Sequence, residues 1–235
     1  MDCPVPSPLA QGARTIVVAA WTILAFGTPS VSAAQCNREE LAAELLTGGA
    51  WNVPTPLIVR HAGERSSFAA HYSTRPFQDA PYYTYRIERT SVGRGVSLEM
   101  LHHKLYLENP RPPIDRLEIT HGFNQVMLSL ITPSRGWRWR FGMGLVVAHP
   151  EVEIAGRSVG RLRSLIGGGY HIAGVATQVS LARRYALGRG SIAMTASPEA
   201  KITAALARVP TGSGSLLVPN LAVHGLGGIG VRRCW

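Results

Sequence analysis

The stretch GWRWRFGMGLVVAHPE, from Gly136 to Glu151, decides the fold that we expect for this chain. Its alternate positions carry tryptophan, phenylalanine, methionine, leucine and valine, and the positions between them carry arginine, glycine, valine or alanine. Because successive side chains of a strand point to opposite faces, this pattern predicts a strand with one wholly apolar face and one basic or bare face. Such a strand is typical of a membrane barrel, whose apolar face meets lipid while the other face lines a crowded lumen. An ordinary strand of a soluble sandwich is the alternative that this stretch alone leaves open.

Composition restricts the class of partner. The chain has 235 residues and a net charge of +10, from 24 Lys and Arg against 14 Asp and Glu. This charge suggests an anionic partner such as nucleic acid, an acidic membrane surface or a phosphorylated glycolipid. Only 16% of the residues are charged, which is low for a nucleic-acid binder, so we expect no nucleic-acid partner. No apolar run after Ser30 approaches the roughly 20 residues of a spanning helix, whereas a barrel strand needs only about 9–11.

The N-terminal part predicts export. Residues 1–34 are typical of a secretory signal peptide, with an apolar core from Ile16 to Phe26 and small residues at the cleavage site. Residues 35–50 predict a short periplasmic helix over Asn37–Thr47, because Asn37 can cap it and two glycines follow it. Removal of the signal peptide leaves Cys36 and Cys234, an even pair that suggests a disulfide in an exported chain, with two free thiols as the alternative.

Residues 51–235 predict an all-β fold, an eight-stranded antiparallel up-and-down transmembrane barrel. Short joins alternate with longer ones rich in Gly, Pro or Arg, as in outer-membrane barrels, whose periplasmic turns are short and outer loops long. This alternation and the aromatic C-terminus, Trp235, favour the barrel over the sandwich. The predicted strands are Ser67–Thr74, Tyr82–Thr90, Gly95–Leu107, Arg116–Thr132, Trp137–His149, Gly169–Tyr185, Gly190–Ala204 and Leu216–Trp235.

Polar residues of several strands fall in the outer half of this barrel. On the third strand we expect Leu101 and Leu105 to point outward, which sends His102 and Lys104 into the lumen. An eight-stranded barrel is narrow, so inward side chains at one height lie in contact, and the pattern predicts a polar cluster at the level of the outer leaflet. A salt-bridged plug of the lumen is the alternative. The candidate catalytic residues are His102, Lys104, Glu118, His121, Asn124, His149 and Glu199.

Several segments resemble the small outer-membrane barrels of the lipid A oxidase family and its uncharacterised relatives. The segments are PYYTYRIER, LEMLHHKLYLEN, RLEITHGFNQVML, RFGMGLVVAHPEVEI and YHIAGVATQVSLARRYAL, and the similarity runs from about Trp51 to Arg233. The residues that carry it are the H-x-K of His102 and Lys104, the T-H-G-x-N of Thr120 to Asn124, and His149-Pro150-Glu151. The aromatic residue that usually follows the acid of the seventh strand is absent here, since Ala200 follows Glu199.

The resemblance implies an outer-membrane oxidoreductase, expected to be a monomer, that uses molecular oxygen to oxidise the proximal glucosamine of lipid A in lipopolysaccharide to an aminogluconate unit. A histidine or Glu199 would accept a proton and Lys104 would stabilise negative charge. The cofactor stays open, with a divalent transition metal as the candidate and His102, His121 and His149 as its ligands. A non-catalytic barrel serving structure, adhesion or lipid binding is the first alternative, and a lipid A deacylase is the second. The arginines expected to bind substrate phosphate are Arg111, Arg157, Arg161, Arg163 and Arg208.

Overall fold

The computed structural model describes Cys36 and residues 39–78, 80–158 and 169–235. Each barrel strand pairs antiparallel with the next, and the last pairs with the first, so the sheet closes on itself. The predicted eight-stranded up-and-down barrel is therefore confirmed. The barrel strands are β1 (Glu39–Val53), β2 (Tyr83–Ser91), β3 (Arg94–Leu107), β4 (Ile114–Ser134), β5 (Trp137–Ala148), β6 (His171–Arg183), β7 (Ile192–Thr211) and β8 (Gly214–Cys234).

An apolar belt surrounds the outside of the barrel. Strand β5 shows it clearly, because Phe141 and Met143 are 50% and 70% exposed while Arg140 between Trp139 and Phe141 is buried in the lumen. The faces expected for this strand are confirmed. A closed sheet with large apolar side chains outside and charged ones inside is the arrangement of an outer-membrane barrel. Within the part of the chain that the structure describes, no helix is long and apolar enough to cross a membrane.

The two ends of the barrel differ. Cys36 and Cys234 lie at one end, joined by a disulfide with their Cα atoms 5.4 Å apart. The tight turns at 92–93 and 135–136 lie at this end too, and outer-membrane barrels place such short turns in the periplasm. We therefore take the end with the disulfide as periplasmic and the opposite end as outer. The expected signal peptide falls at residues 1–34, outside the described residues.

The helix expected over Asn37–Thr47 is wrong from Glu39 onward, because these residues begin β1. Glu40 and Glu44 point into the lumen while Leu41 and Leu45 are exposed, a period of two that belongs to a strand. β1 thereby replaces the segment expected to be the first barrel strand. That segment, Ser67–Thr74, instead belongs largely to an outer hairpin.

The outer hairpin and the ends of several strands extend the wall beyond the apolar belt. The hairpin is formed by Thr55–His61 and Glu64–Ala70, and its first strand pairs with the start of β8. The short strand Glu151–Ile154 pairs with the start of β4. β7 and β8 continue to a tight turn at 212–213, although the sequence predicted a loop over Ala205–Ser215. The outer rim is thus built from paired strands.

Two different fillings occupy the lumen. The periplasmic half holds a network of buried ion pairs, called here the lumen network, and the outer half holds a packed apolar core that includes Leu57, Leu105 and Phe123. A polar layer separates them, in which His103 contacts Asn52 at 3.0 Å. The salt-bridged plug expected as an alternative is therefore present, but in the periplasmic half. The lumen network consists of Glu40, Glu44, Glu88, Glu99, Glu199, Arg86, Arg138, Arg140, Arg184 and Lys201.

Candidate functional site on the outer wall

The face of strand β3 that points into the lumen is the opposite of the face that the sequence predicted. Glu99 and Leu101 are fully buried in the lumen, and His102 lies on the outer face of the strand. The prediction failed because it took leucine as a sign of the lipid-facing side. In the outer half of this barrel the lumen is itself apolar, so leucine occupies the inner face there too.

His102 and Lys104 are nevertheless buried, because a covering segment that includes Gln78 and Ala80 contacts the outer face of β3. The Lys104 ammonium donates hydrogen bonds to the carbonyl oxygens of Gln78 and of Ala80, the latter at 2.7 Å. The His102 ring stacks on Tyr83 with the ring centres 4.8 Å apart. Both residues therefore sit in a covered part of the outer wall.

Asn124 and His121 bring β4 into the same region. The Nδ1 atom of His102 lies 2.8 Å from Oδ1 of Asn124, within hydrogen-bond distance. Between these residues Gly122 has φ +125°, and the β3–β4 register shifts beside it, so β4 carries a β-bulge there. The bulge carries His121 to the surface, where its Nδ1 lies 3.3 Å from Oε1 of Glu151.

His149 and Tyr170 complete the cluster from the outer ends of β5 and β6. The rings of His121 and His149 have their centres 5.0 Å apart, and Tyr170 meets His149 edge-on at 5.1 Å. The Tyr170 hydroxyl also donates to the backbone oxygen of His121 at 2.8 Å. Two imidazoles, a carboxylate and a phenol thus meet on the outside of the barrel.

Arg116 balances the negative charge next to this cluster. It donates to Glu118 at 2.7 Å and lies 4.0 Å from Glu151 and 3.8 Å from Glu153. The hydrogen bond to Glu118 and the charges of these carboxylates raise the pKa of Arg116 above its ordinary value. Glu118 is therefore held by an ion pair at the edge of the cluster, and Glu151 keeps one oxygen towards His121.

Glu199 does not belong to this cluster. It lies in the lumen network, 2.7 Å from Arg86 and 3.1 Å from Arg140, in the opposite half of the barrel. Its expected part in a site with His102 is wrong, because its strand position places it on the inner face nearer the periplasm. The Ser/His/Glu set that a deacylase would need from Ser197, His224 and Glu199 is not assembled either. Ser197 donates to Glu44, and His224 contacts Tyr82 and Thr203.

The arginines expected to bind phosphate that the structure describes do not form one site but lie in different parts of the outer side. Arg208 lines a groove of about 230 Å³ with Arg60 and Arg65, two residues that were not among the predicted phosphate ligands. The sequence did contain a pattern that could have indicated Arg60 and Arg65. Leu57 and Val59 alternate with outward residues before the Ala62-Gly63 turn, which is typical of a β-hairpin. Arg111 instead lies 5.7 Å above the Phe68 ring, and Arg157 is exposed in a short outer strand. Arg161 and Arg163 fall outside the described residues.

Both polar regions begin where the apolar belt ends. The outward positions of β5 run through Phe141, Met143, Leu145 and Val147, and His149 follows two residues later. On β7 the last exposed leucine is Leu206, and Arg208 follows it on the same outward face. Since side chains two residues apart share a face, the histidines and the arginine groove lie on the outer wall just above the belt.

No protein-family model matches the chain, and no curated protein matches it. Among solved structures, it is similar to the outer membrane protein OprG from Pseudomonas aeruginosa, with 9% identity over 82% of this chain and 95% of that chain, and a TM-score of 0.38. Ail, the attachment invasion locus protein of Yersinia pestis, has 10% identity, coverages of 82% and 99%, and a TM-score of 0.33. Neisserial surface protein A has 11% identity, coverages of 84% and 97%, and a TM-score of 0.34. The resemblance to lipid A oxidases stays a prediction.

Proposed function

We propose that this outer-membrane barrel is an enzyme that modifies lipid A, by oxidation of its proximal glucosamine. The observation that carries the proposal is the position of the histidine cluster, outside the barrel and just above the belt. The sugar headgroup of an outer-leaflet lipid lies at this height while its acyl chains contact the belt. A lipid substrate can therefore reach His121 and His149 by moving within the membrane, without entering the filled lumen.

The residues of the cluster suit proton transfer from a sugar hydroxyl. His121 is 60% exposed at its side chain, and Glu151 lies beside it to orient and balance a protonated imidazole. Where the anomeric hydroxyl of the proximal glucosamine is free of phosphate, oxidation of its C–H and O–H removes two electrons and two protons, which molecular oxygen takes up to give hydrogen peroxide and a lactone. Water then opens the lactone to the aminogluconate, which is heavier than the starting sugar by one oxygen atom. Lys104 has a supporting role in this proposal, because its ammonium holds the covering segment against β3. Asn124 fixes the ring of His102.

The arginine groove suits the phosphate of the same lipid. Arg60, Arg65 and Arg208 converge on the outward side of the hairpin, with Ile58 and Leu217 as the apolar part of the lining. Guanidinium groups bind phosphate through paired hydrogen bonds, and a lipid adds an apolar part that such a lining accommodates. We expect the groove to fix the headgroup along the wall, while the histidine cluster carries the chemistry.

The test is mass spectrometry of lipid A from cells with the gene, without it, and with His121→Ala or His149→Ala. The proposal expects an oxidised species, heavier by one oxygen atom, only with the intact gene. His71→Ala is the matched control, because His71 is an exposed histidine whose backbone binds Glu108 and Asn109 and which is not a member of the cluster. Equal amounts of folded barrel in the outer membrane must accompany each comparison. Identical lipid A with and without the gene would refute the enzyme.

A non-catalytic lipid-binding barrel is the second candidate, and the filled lumen favours it. Ion pairs occupy the periplasmic half and a packed apolar core the outer half, as a structural barrel requires. In that case lipid A would be unmodified, yet lipopolysaccharide would still bind to the arginine groove. Arg60→Glu and Arg208→Glu would then reduce the lipopolysaccharide that co-purifies with the barrel, whereas the histidine variants would leave it unchanged.

A further inference from the structure

We propose that His121, His149 and Glu151 bind one divalent transition-metal ion on the outer wall. The inference deepens the proposed function by giving its site a cofactor, but the metal site stands on its own geometry. It also selects among the ligands that the sequence predicted, since it keeps His121 and His149 and replaces His102 with Glu151.

The three donor atoms are nearly in place. One ligand atom from each residue lies within 4.8 Å of the other two, and the His121–Glu151 pair is already at 3.3 Å. Donors bound tetrahedrally at about 2.0–2.2 Å from a metal stand roughly 3.4 Å apart. The wider pairs therefore need to close by about 1.5 Å at most, which small rotations of the exposed His121 ring and of the 40% exposed Glu151 side chain can supply.

His149 supplies an independent indication that a ligand belongs here. Its Nδ1 atom is buried and has no hydrogen-bond partner among the residues that the structure describes. A buried polar atom without a partner is costly, and a metal ion bound there would satisfy it. The ring cannot easily turn away, because Gly169 lies against it. A Cβ atom on Gly169 would come within 2.6 Å of the His149 ring, so only glycine permits this arrangement.

The surroundings orient the ligands in the way that metal sites require. Glu151 directs Oε2 towards Arg116 at 4.0 Å, which leaves Oε1 for the metal. The Tyr170 hydroxyl binds the backbone of His121 and fixes the bulge that carries this ligand. Such outer contacts hold ligating groups in position and are a regular part of metal sites.

The donor set limits the metal and its chemistry. Two imidazoles and one carboxylate are the ligands of catalytic zinc sites with an open position, and also of non-haem iron sites that use oxygen. His102 is not among the three, because it does not belong to the group of described residues whose donor atoms lie within 4.8 Å of one another. The group formed by Cys36, Glu40 and Cys234 is no rival, since its two sulfurs form the disulfide.

The test is calorimetric titration of Zn²⁺ into the full-length barrel, refolded in detergent and freed of metal with a chelator. We expect one Zn²⁺ per chain for the wild type and at least a tenfold loss of affinity for His121→Ala, His149→Ala and Glu151→Gln. Glu151→Gln keeps the shape of the side chain and covers the case in which a histidine variant fails to fold. His71→Ala should bind Zn²⁺ like the wild type. Co²⁺ in place of Zn²⁺ should give a visible absorption spectrum that the same variants abolish.

Two results would overturn the metal site. One is a wild type that binds no Zn²⁺, and the other is undiminished binding by folded Glu151→Gln and His149→Ala. The outcome is separable from the enzyme proposal. Zn²⁺ binding together with unmodified lipid A would uphold the metal site and remove the enzyme, and oxidised lipid A from a barrel that binds no metal would do the reverse.

Discussion

Arg86 is the centre of the lumen network, and its removal tests whether buried ion pairs hold the barrel together. Its guanidinium is fully buried and contacts Glu44 at 3.0 Å, Glu99 at 2.6 Å and Glu199 at 2.7 Å. The perturbation is Arg86→Met, which keeps an unbranched side chain of similar length and removes the charge. Three carboxylates then remain in the lumen with one cation fewer.

Removal of one partner from a buried ion pair costs about 3–5 kcal/mol, because it leaves an uncompensated buried charge. The cost here should lie near about 3 kcal/mol, since each of the three carboxylates keeps another cation in contact. Those cations are Arg184, Lys201 and Arg140. Arg89→Met is the matched control on the same strand. Its ion pair with Glu39 is 64% and 31% exposed, and exposed pairs are worth about 0–1 kcal/mol.

The assay is urea unfolding of the barrel in detergent micelles or lipid vesicles, followed by tryptophan fluorescence. With an m-value of about 2 kcal/mol/M, Arg86→Met should lower the unfolding midpoint by about 1.5 M. Arg89→Met should lower it by less than about 0.5 M. Equal midpoints for the two variants would refute the reasoning, because burial would then make no difference to the loss of a charge.

Three further predictions concern other parts of the barrel. Cys36→Ser removes the disulfide that closes the chain over a sequence separation of 198 residues, and should lower the free energy of unfolding by about 2–5 kcal/mol; unchanged stability under oxidising conditions would contradict this. Gly144→Ala places a Cβ 1.9 Å from a backbone oxygen and should lower the free energy of unfolding by about 1–3 kcal/mol. In the control Gly227→Ala the new Cβ meets nothing within 4 Å, so urea unfolding should show no change in stability. The Ser73 hydroxyl lowers the pKa of Glu108 in the outer loops, so the stability that Glu108 contributes is complete above the ordinary carboxyl range and is lost as pH falls through the lowered pKa. Limited proteolysis should therefore cut the outer loops faster in acid, and Glu108→Gln should show the faster cutting already at neutral pH; equal cutting of both proteins at all pH values would exclude this role.

Where polar and apolar residues alternate simply, the sequence was sufficient to predict the fold. On β7 and β8 the exposed residues Ile202 and Val223 alternate with buried polar ones such as Lys201 and His224, and both segments were predicted as strands. β1 was missed because a spacing of four, as between Glu40 and Glu44, places two residues on one face of both a helix and a strand. The capping residues then favoured a helix in the prediction. In the structure this segment pairs with β2 and β8 and is therefore a strand.

For the candidate site, the sequence predicted which residues come together more accurately than it predicted the side of the barrel wall on which they lie. His102, His121, Asn124 and His149 meet at the outer end because the topology places the ends of their strands there. Their side of the wall could not be inferred, since it depends on the apolar core inside the outer half and on the segment that covers β3. Both are tertiary features that a single strand does not reveal.

The strands of this barrel carry two independent sets of side chains, one for each surface of the wall. Residues that hold the barrel together point inward, and those proposed to act on a lipid point outward at the rim. The two sets share the backbone of the strands but lie on opposite surfaces of the wall, as Glu199 and His149 do. Substitutions at the rim can therefore alter ligand preference without unsettling the interior, and the interior can be strengthened without altering the rim. Such a wall is a natural scaffold for grafting new binding groups at the cell surface.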